Sequence, residues 1–337
     1  MSGPVNVVVA FKVAPEVLAE IEQVDPRLRV SMHPVLSAAS RYVGSGAGSD
    51  TEHAAAKAAL GEAHVIFGPA QLTAEVVDAA PLLQWLQVLT AGVDRLAKEG
   101  ITERGFPVTT SSGLAAPAIA EWAMAAMVML AKGMHISVRD QVEHRWSFRF
   151  TGELVGKTVG IAGMGAIGRE TARRARVFGM RVLATRRTVQ PGATDPDCDE
   201  ILPYSALDRL LAESDYLVLC VPYTPETHCL IGAAELAQMK PTASLLNVAR
   251  GAVVDQDALI AALRDGTIAS AALDVTDPEP LAPDSPLWDL PNVILTPHIS
   301  GAVEGYGHRA AAIFVANLKH FLAGEPLEHL VKPGLGY

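Results

Sequence analysis

The chain has 337 residues, a net charge of −10 with histidine neutral, and a composition that is 50% hydrophobic but only 5% aromatic. That length suits two domains with aliphatic, alanine-rich cores and excludes disorder. The acidic balance argues against a nucleic-acid partner, and no apolar run approaches the roughly 18–20 residues of a membrane span.

The first apolar, β-branched run, residues 5–11, predicts a strand, and residues 13–23 follow with helical spacing. Runs at 65–68, 85–89 and 108–111 predict three more strands. Strands alternating with helical segments predict a parallel α/β sheet. Residues 115–133 form an alanine- and methionine-rich segment with Pro117 near its first turn. It is apolar on nearly all sides, which predicts a helix covered on nearly all sides, at a domain or subunit interface. A polar stretch, 140–150, comes next. A second series then begins with a strand at 158–162, a glycine-rich turn, a helix at 169–178 and a strand at 181–184. Strands at 216–221, 244–247, 270–273 and 293–295 complete it. A proline-rich loop spans 277–291, and a helix at 307–323 closes the chain.

The turn Gly163-Met164-Gly165-Ala166-Ile167-Gly168 follows a strand and opens a helix, the context in which this spacing marks dinucleotide binding. Gly163 permits the tight turn, Gly165 lets a pyrophosphate approach the backbone, and Gly168 lets helix and strand pack closely. The helix N-terminus offers amides and the positive end of its dipole to phosphates. Gly156-Lys157-Thr158 imitates a phosphate-binding P-loop but fails, because its strand follows instead of preceding and its first glycine is misplaced. At the end of the next strand a carboxylate would accept from the ribose 2′-hydroxyl of NAD. This chain has Thr185-Arg186-Arg187-Thr188, which suits a 2′-phosphate and predicts NADP over NAD, with NAD still possible.

Four blocks, 158–168 (TVGIAGMGAIG), 247–255 (NVARGAVVD), 272–280 (ALDVTDPEP) and 296–301 (TPHISG), together resemble the D-isomer-specific 2-hydroxyacid dehydrogenases, nearest the glyoxylate/hydroxypyruvate reductases. The resemblance covers essentially the whole chain. It implies reduction of a small 2-keto acid to the D-2-hydroxy acid, with Arg250, Glu279 and His298 as the catalytic set. His298 would donate the proton, since histidine titrates near working pH. Glu279 would hydrogen-bond the imidazole and favour its charged form, and Arg250 would grip the carboxylate and polarise the carbonyl. Ala91, Gly92 and Val93 resemble the loop whose amides meet the substrate carboxylate. Asp274 and Ala249 resemble residues beside the nicotinamide. Val221, Pro222 and Thr227 resemble the strand end and loop that pass the adenosine. Trp146 either packs within its own chain or reaches a neighbouring subunit's substrate pocket. Serine occupies the segment 109–113 where many relatives carry asparagine. Glu279 is not glutamine, which counts against a formate-dehydrogenase-like enzyme.

The implied architecture is two doubly wound parallel-sheet domains. A Rossmann cofactor domain at 112–302 is inserted in a flavodoxin-like substrate domain made of 1–111 and 303–337, with a cleft between them. The long helix predicts a homodimer formed through the cofactor domains. Three cysteines without a C-x-x-C pair, and an N-terminus without a signal segment, predict a cytoplasmic protein. The histidines form no metal-like cluster, so no metal is expected. Two other readings stay open: a nucleotide-sensing corepressor-like binding protein, and a dehydrogenase of another small anion such as phosphite.

Overall fold

The structure, a computed structural model, describes residues 3–37, 48–190 and 192–332. The chain divides into two compact units, Met1–Leu114 with Val303–Tyr337, and Ala115–Ala302. The sequence reading puts the first crossing at 111/112; the contacts put it at 114/115.

In the first unit β1 (Val5–Val9), β2 (Leu28–Met32), β3 (Val65–Gly68), β4 (Trp85–Val88) and β5 (Val108–Thr109) form one parallel sheet in the order β2-β1-β3-β4-β5. This flavodoxin-like order changes direction between β1 and β3. Both faces of β1 are buried, and the two-residue period sorts its side chains. Val5, Val7 and Val9 join Phe67 and Trp85 in one layer, while Val8 joins Ile66 and Leu86 in the other. The helix Tyr306–Ala323 covers the first layer through Ala310, Ala311, Phe314 and Leu318. Phe314 stacks on Phe67 with centroids 4.4 Å apart. Among the elements that go beyond the sequence reading are β2, the short helices Ala74–Asp78 and Asp94–Lys98, and the helix Asp50–Gly61, which opens with a capping box between Ser49 and Glu52.

In the second unit β6 (Thr158–Ala162), β7 (Arg181–Arg186), β8 (Glu200–Pro203), β9 (Tyr216–Leu219), β10 (Ser244–Asn247), β11 (Ser270–Leu273) and β12 (Val293–Leu295) form a second parallel sheet. Its order is β12-β11-β10-β9-β6-β7-β8. That is the doubly wound dinucleotide-binding order with a seventh strand added, and it switches direction between β6 and β9. β6, β9, β10 and β11 are buried along their whole length, as expected of a sheet covered on both faces.

The helix Ala116–Ala131 is only partly covered within one chain. Ala116, Ala120, Ala123, Met124, Ala126 and Met127 are buried, but Glu121 and Ala125 are exposed. It packs chiefly on the helix Ala166–Val177. The polar stretch after it begins as a helix, Met134–Val142, and continues without regular secondary structure. Trp146 in that stretch is 101% exposed, so it is not a packing tryptophan of its own chain. No single helix among the described residues is long and apolar enough to cross a membrane.

Candidate active site

The glycine turn sits at the switch point of the second sheet, and its three glycines are needed for three different reasons. Gly163 has φ 103°, and a Cβ there would lie 2.8 Å from the carbonyl oxygen of Cys220 at the end of β9. A Cβ on Gly168 would lie 2.3 Å from the Gly163 carbonyl oxygen. A Cβ on Gly165 would meet nothing within 4 Å, so the backbone there faces open space. This is the shape a pyrophosphate requires: tight behind the turn and open in front of it. Met164 is committed to the fold, with its side chain in the core and its N–H donated to Thr185 O at 3.0 Å. The first turn of the helix Ala166–Val177, at Ala166 and Ile167, follows.

Thr185 is likewise buried, and its carbonyl closes the glycine turn. Arg186 and Arg187 emerge exposed immediately after it. Across the turn, the loop after β9 is tied internally. Thr227 Oγ1 donates to Pro222 O at 2.7 Å and accepts from Thr224 N at 2.8 Å. Val221 and Ala249 are buried in the core and Pro222 is exposed. The Glu226 carboxyl is held below its usual range, chiefly by the Thr224 hydroxyl, with a smaller contribution from the positive charge of Arg187. Arg187 after β7 and Glu226 after β9 are thus close enough to interact electrostatically.

The second group of residues lies past the carboxyl ends of three adjacent strands. Arg250 follows β10, Asp274 ends the run of β11, and His298 follows β12. Asn247 shapes the first of these loops, donating from Nδ2 to Arg250 O at 2.9 Å and accepting from Ala249 N at 3.0 Å. Arg250 Nη1 donates to Ala249 O at 2.9 Å. A Cβ on Gly251 would lie 2.0 Å from the Thr276 backbone, so only glycine lets the arginine loop press against the loop that carries Glu279. Asp277 N, on that second loop, donates to Gln256 Oε1 at 3.2 Å.

His298 has φ 56°, a left-handed conformation that costs a bulky residue of order 1 kcal/mol. Asp274 holds it there. This carboxylate, 1% exposed, accepts from Thr296 Oγ1 (2.6 Å), Ile299 N (2.8 Å), Ser300 N (3.0 Å) and Ser300 Oγ (2.5 Å). The Asp274 carbonyl accepts from His298 N at 2.8 Å. The Asp274 side chain thus organises the histidine turn, a role its sequence position does not announce. Thr296, Ser300, Gly251 and Asn247 all fall inside the quoted sequence blocks, but only the fold assigns them partners. With its backbone fixed, His298 places Nδ1 3.1 and 3.0 Å from the two Glu279 carboxylate oxygens. Its side chain remains 23% exposed, so the ring keeps an edge open to a ligand.

In the first unit, Ala91 is exposed, Gly92 half-buried and Val93 buried, between β4 and the short helix Asp94–Lys98. Thr90 Oγ1 donates to Gly92 O at 2.9 Å and shapes the turn. Among the described residues no group of three His, Cys, Asp or Glu side chains is arranged to hold a metal ion. Burial pushes the Cys198 thiol up to about 11 and the Cys220 thiol up to about 12, so neither offers a thiolate near neutral pH.

A doubly wound sheet with an open glycine turn, and a carboxylate-paired histidine beside an arginine loop, define a nicotinamide-dependent oxidoreductase. Residues 124–300 match the model of the D-isomer specific 2-hydroxyacid dehydrogenase NAD binding domain. The chain is 39% identical over 269 residues to a glyoxylate reductase of Korarchaeum cryptofilum (strain OPF8), covering 77% of this chain and 79% of that one. It is 36% identical over 312 residues to glyoxylate/hydroxypyruvate reductase B of Pectobacterium carotovorum subsp. carotovorum (strain PC1), covering 89% and 88%. Among solved structures it resembles a D-isomer specific 2-hydroxyacid dehydrogenase from Xanthobacter autotrophicus Py2 in complex with NADPH and MES. That match has a TM-score of 0.81 and 29% identity over 100% of both chains. The chain belongs to the D-isomer-specific 2-hydroxyacid dehydrogenase family and is an NAD(P)-dependent oxidoreductase.

Proposed function

We propose that this enzyme reduces a small 2-keto acid of the glyoxylate or hydroxypyruvate class to the D-2-hydroxy acid, with NADPH preferred. The observation that carries the reading is the His298–Glu279 pair, held by Asp274 with the histidine backbone in the left-handed region. A bound nicotinamide dinucleotide supplies the hydride. The remaining work falls to the chain. His298 delivers a proton to the carbonyl oxygen as it gains charge, and Glu279 orients the ring and balances the imidazolium. Arg250 binds the carboxylate and polarises the carbonyl with a planar fork. The glycine turn and the first amides of the helix Ala166–Val177 hold the pyrophosphate, and Arg186 and Arg187 hold the 2′-phosphate.

Turnover of a panel of 2-keto acids against NADPH and NADH tests this. Rapid reduction of glyoxylate or hydroxypyruvate is expected. Inactivity on every keto acid, with activity on phosphite or none at all, would overturn it.

The cofactor domains also form a homodimer in this reading. Met134, Val138, Val142, Trp146, Phe148 and Phe150 are all about half or more exposed in one chain, and such a run of apolar side chains calls for a partner. The arm carrying the three aromatics is tied back to the preceding helix, where Asp140 accepts from Arg145 at 3.0 Å and pairs with Arg149. Those arginines, Arg149 foremost, hold the Asp140 carboxyl below its usual range. Sedimentation equilibrium giving a monomer at micromolar concentration would remove the dimer. The small acid substrate and the unpaired thiols of Cys198, Cys220 and Cys229 fit a cytoplasmic enzyme.

A further inference from the structure

The path of the chain between β7 and β8 carries an inference that rests on the NADPH reading. The two strands are parallel neighbours, so residues 187–199 must return from the carboxyl end of one to the amino end of the next. Such a crossover is usually a helix that buries an apolar face on the sheet. Here the described residues of the crossover contain no helix; Val189 and Cys198 pack on the core, and charge holds the stretch around Asp195 and Asp197. Arg169, Arg173 and Arg176 stand at i, i+4 and i+7 on the helix Ala166–Val177, which puts them on one side of it. Arg169 forks onto Asp195 at 2.9 and 2.7 Å and reaches Asp197 at 2.9 Å. Arg173 binds both oxygens of Asp197, at 2.9 and 3.2 Å, and Arg176 donates to Pro196 O at 2.8 Å.

The carboxylates of this network are sheltered, while the Arg173 side chain is 53% exposed. The Asp195 and Asp197 side chains are 8% and 14% exposed, and their arginine partners hold both carboxyls below the usual carboxylate range. Partly buried, forked arginine–carboxylate contacts of this kind fix geometry far better than single surface pairs. The same crossover opens at Arg187, directly after Arg186, the last residue of β7. Those two side chains are exposed on a tight turn, where Val189 N bonds back to Arg186 O at 3.3 Å. An exposed arginine pair on an untethered turn would have to be ordered at the moment a phosphate binds, at a cost in affinity.

We propose that Asp195 and Asp197 are positioning residues for cofactor selection: latched to Arg169 and Arg173, they hold the crossover so that Arg186 and Arg187 are preordered for the 2′-phosphate. The latch also neutralises Arg169, one residue beyond Gly168, leaving Arg186 and Arg187 to read the phosphate. Binding of the pyrophosphate at the glycine turn does not depend on it.

The sign of the effect separates this from plain electrostatics. If charge alone mattered, removing a carboxylate from this face would tighten NADPH. If the latch positions the turn, its removal weakens NADPH and leaves NADH alone. The experiment measures the Kd of each cofactor by fluorescence titration, and kcat at saturating NADPH, for the parent, Asp195→Asn/Asp197→Asn and the milder Arg173→Gln. The double variant should bind NADPH about three- to tenfold more weakly, the scale of reordering one or two long side chains. NADH Kd and kcat should stay within about twofold, a small change on the same scale, and Arg173→Gln should move the same way by less. Should the double variant not fold, Arg173→Gln alone decides the direction. Unchanged or tighter NADPH binding, or equal weakening of both cofactors, overturns the proposal. A parent with no preference for NADPH overturns the NADPH reading and this proposal together; a preference undiminished in the variants overturns this proposal alone.

Discussion

Two corners of the second unit are built on opposite physical plans. The corner around His298 is over-determined. One buried carboxylate, Asp274, takes four hydrogen bonds from the histidine turn, and Gly251 presses its loop against Thr276 with no room for a methyl group. The corner around Arg186 and Arg187 is open and exposed, and a charged network outside the site holds the crossover downstream of it. Proton transfer demands placement to a few tenths of an ångström, so its residues are fixed by buried contacts. Phosphate recognition works through charge over a longer range and tolerates a softer frame, which also leaves cofactor choice adjustable by surface substitutions.

The sharpest way to break the comparison is at its rigid end. His298→Ala should lower kcat by about 10²- to 10⁴-fold, the range of general acid catalysis, while NADPH affinity is retained. Stopped-flow turnover paired with fluorescence titration measures both, and near-normal kcat would sink the assignment. Next in size, Arg250→Ala should reduce kcat/KM by about 10²- to 10³-fold through both parameters, because the guanidinium serves ground state and transition state alike. An unchanged kcat/KM would leave Arg250 as a structural residue.

A pair of glycine substitutions sharpens the contrast further. Gly251→Ala must push the Thr276 loop away and displace Glu279, at a cost of roughly 1–3 kcal/mol typical of overpacking. Both Tm and kcat should drop, kcat by about tenfold or more, the equivalent of that cost expressed on the barrier. Gly165→Ala meets nothing in the protein, so Tm should hold while KM for cofactor rises. Thermal unfolding and initial rates on both variants are sufficient; matching Tm losses in the two would erase the distinction between a packed and an open glycine.

The smallest expected effect lies at the soft end. Arg186→Asp should shift preference from NADPH toward NADH by about tenfold in kcat/KM, since one charge-assisted contact is lost and a repulsion gained. Most of the change should appear in KM for cofactor and shrink at high salt. Equal kcat/KM for both cofactors in the parent would make the arginine pair an ordinary surface turn.

Several features were legible because they depend only on near neighbours in the chain. The buried runs at 65–68, 158–162, 244–247 and 270–273 coincide with strands because β-branched and aliphatic residues buried on both faces leave little other option. The glycine turn was legible because a strand, three glycines and a helix lie within about twenty consecutive residues. The helix Asp50–Gly61 had a readable capping signal in Ser49 and Glu52 that the apolar periodicity alone overlooks. By contrast, β2 and β8 lie toward sheet edges and mix charged with apolar residues, so their pattern is weak and pairing decides them.

The tertiary structure alone decided what cannot be computed from spacing. It turned the Asp274 carboxylate toward Thr296 and Ser300, more than twenty residues away, and brought Gly251 against Thr276. It left the helix Ala116–Ala131 only partly covered, and all of Trp146 uncovered, by their own chain. It also joined the Arg169–Arg176 stripe to Asp195 and Asp197. The amino-acid sequence by itself determined which residues are fit for proton transfer, anion binding and turn formation, since those are properties of side chains. Which of them meet is settled by long-range packing, where a few buried hydrogen bonds and close backbone approaches select one arrangement out of many that the same local preferences would allow.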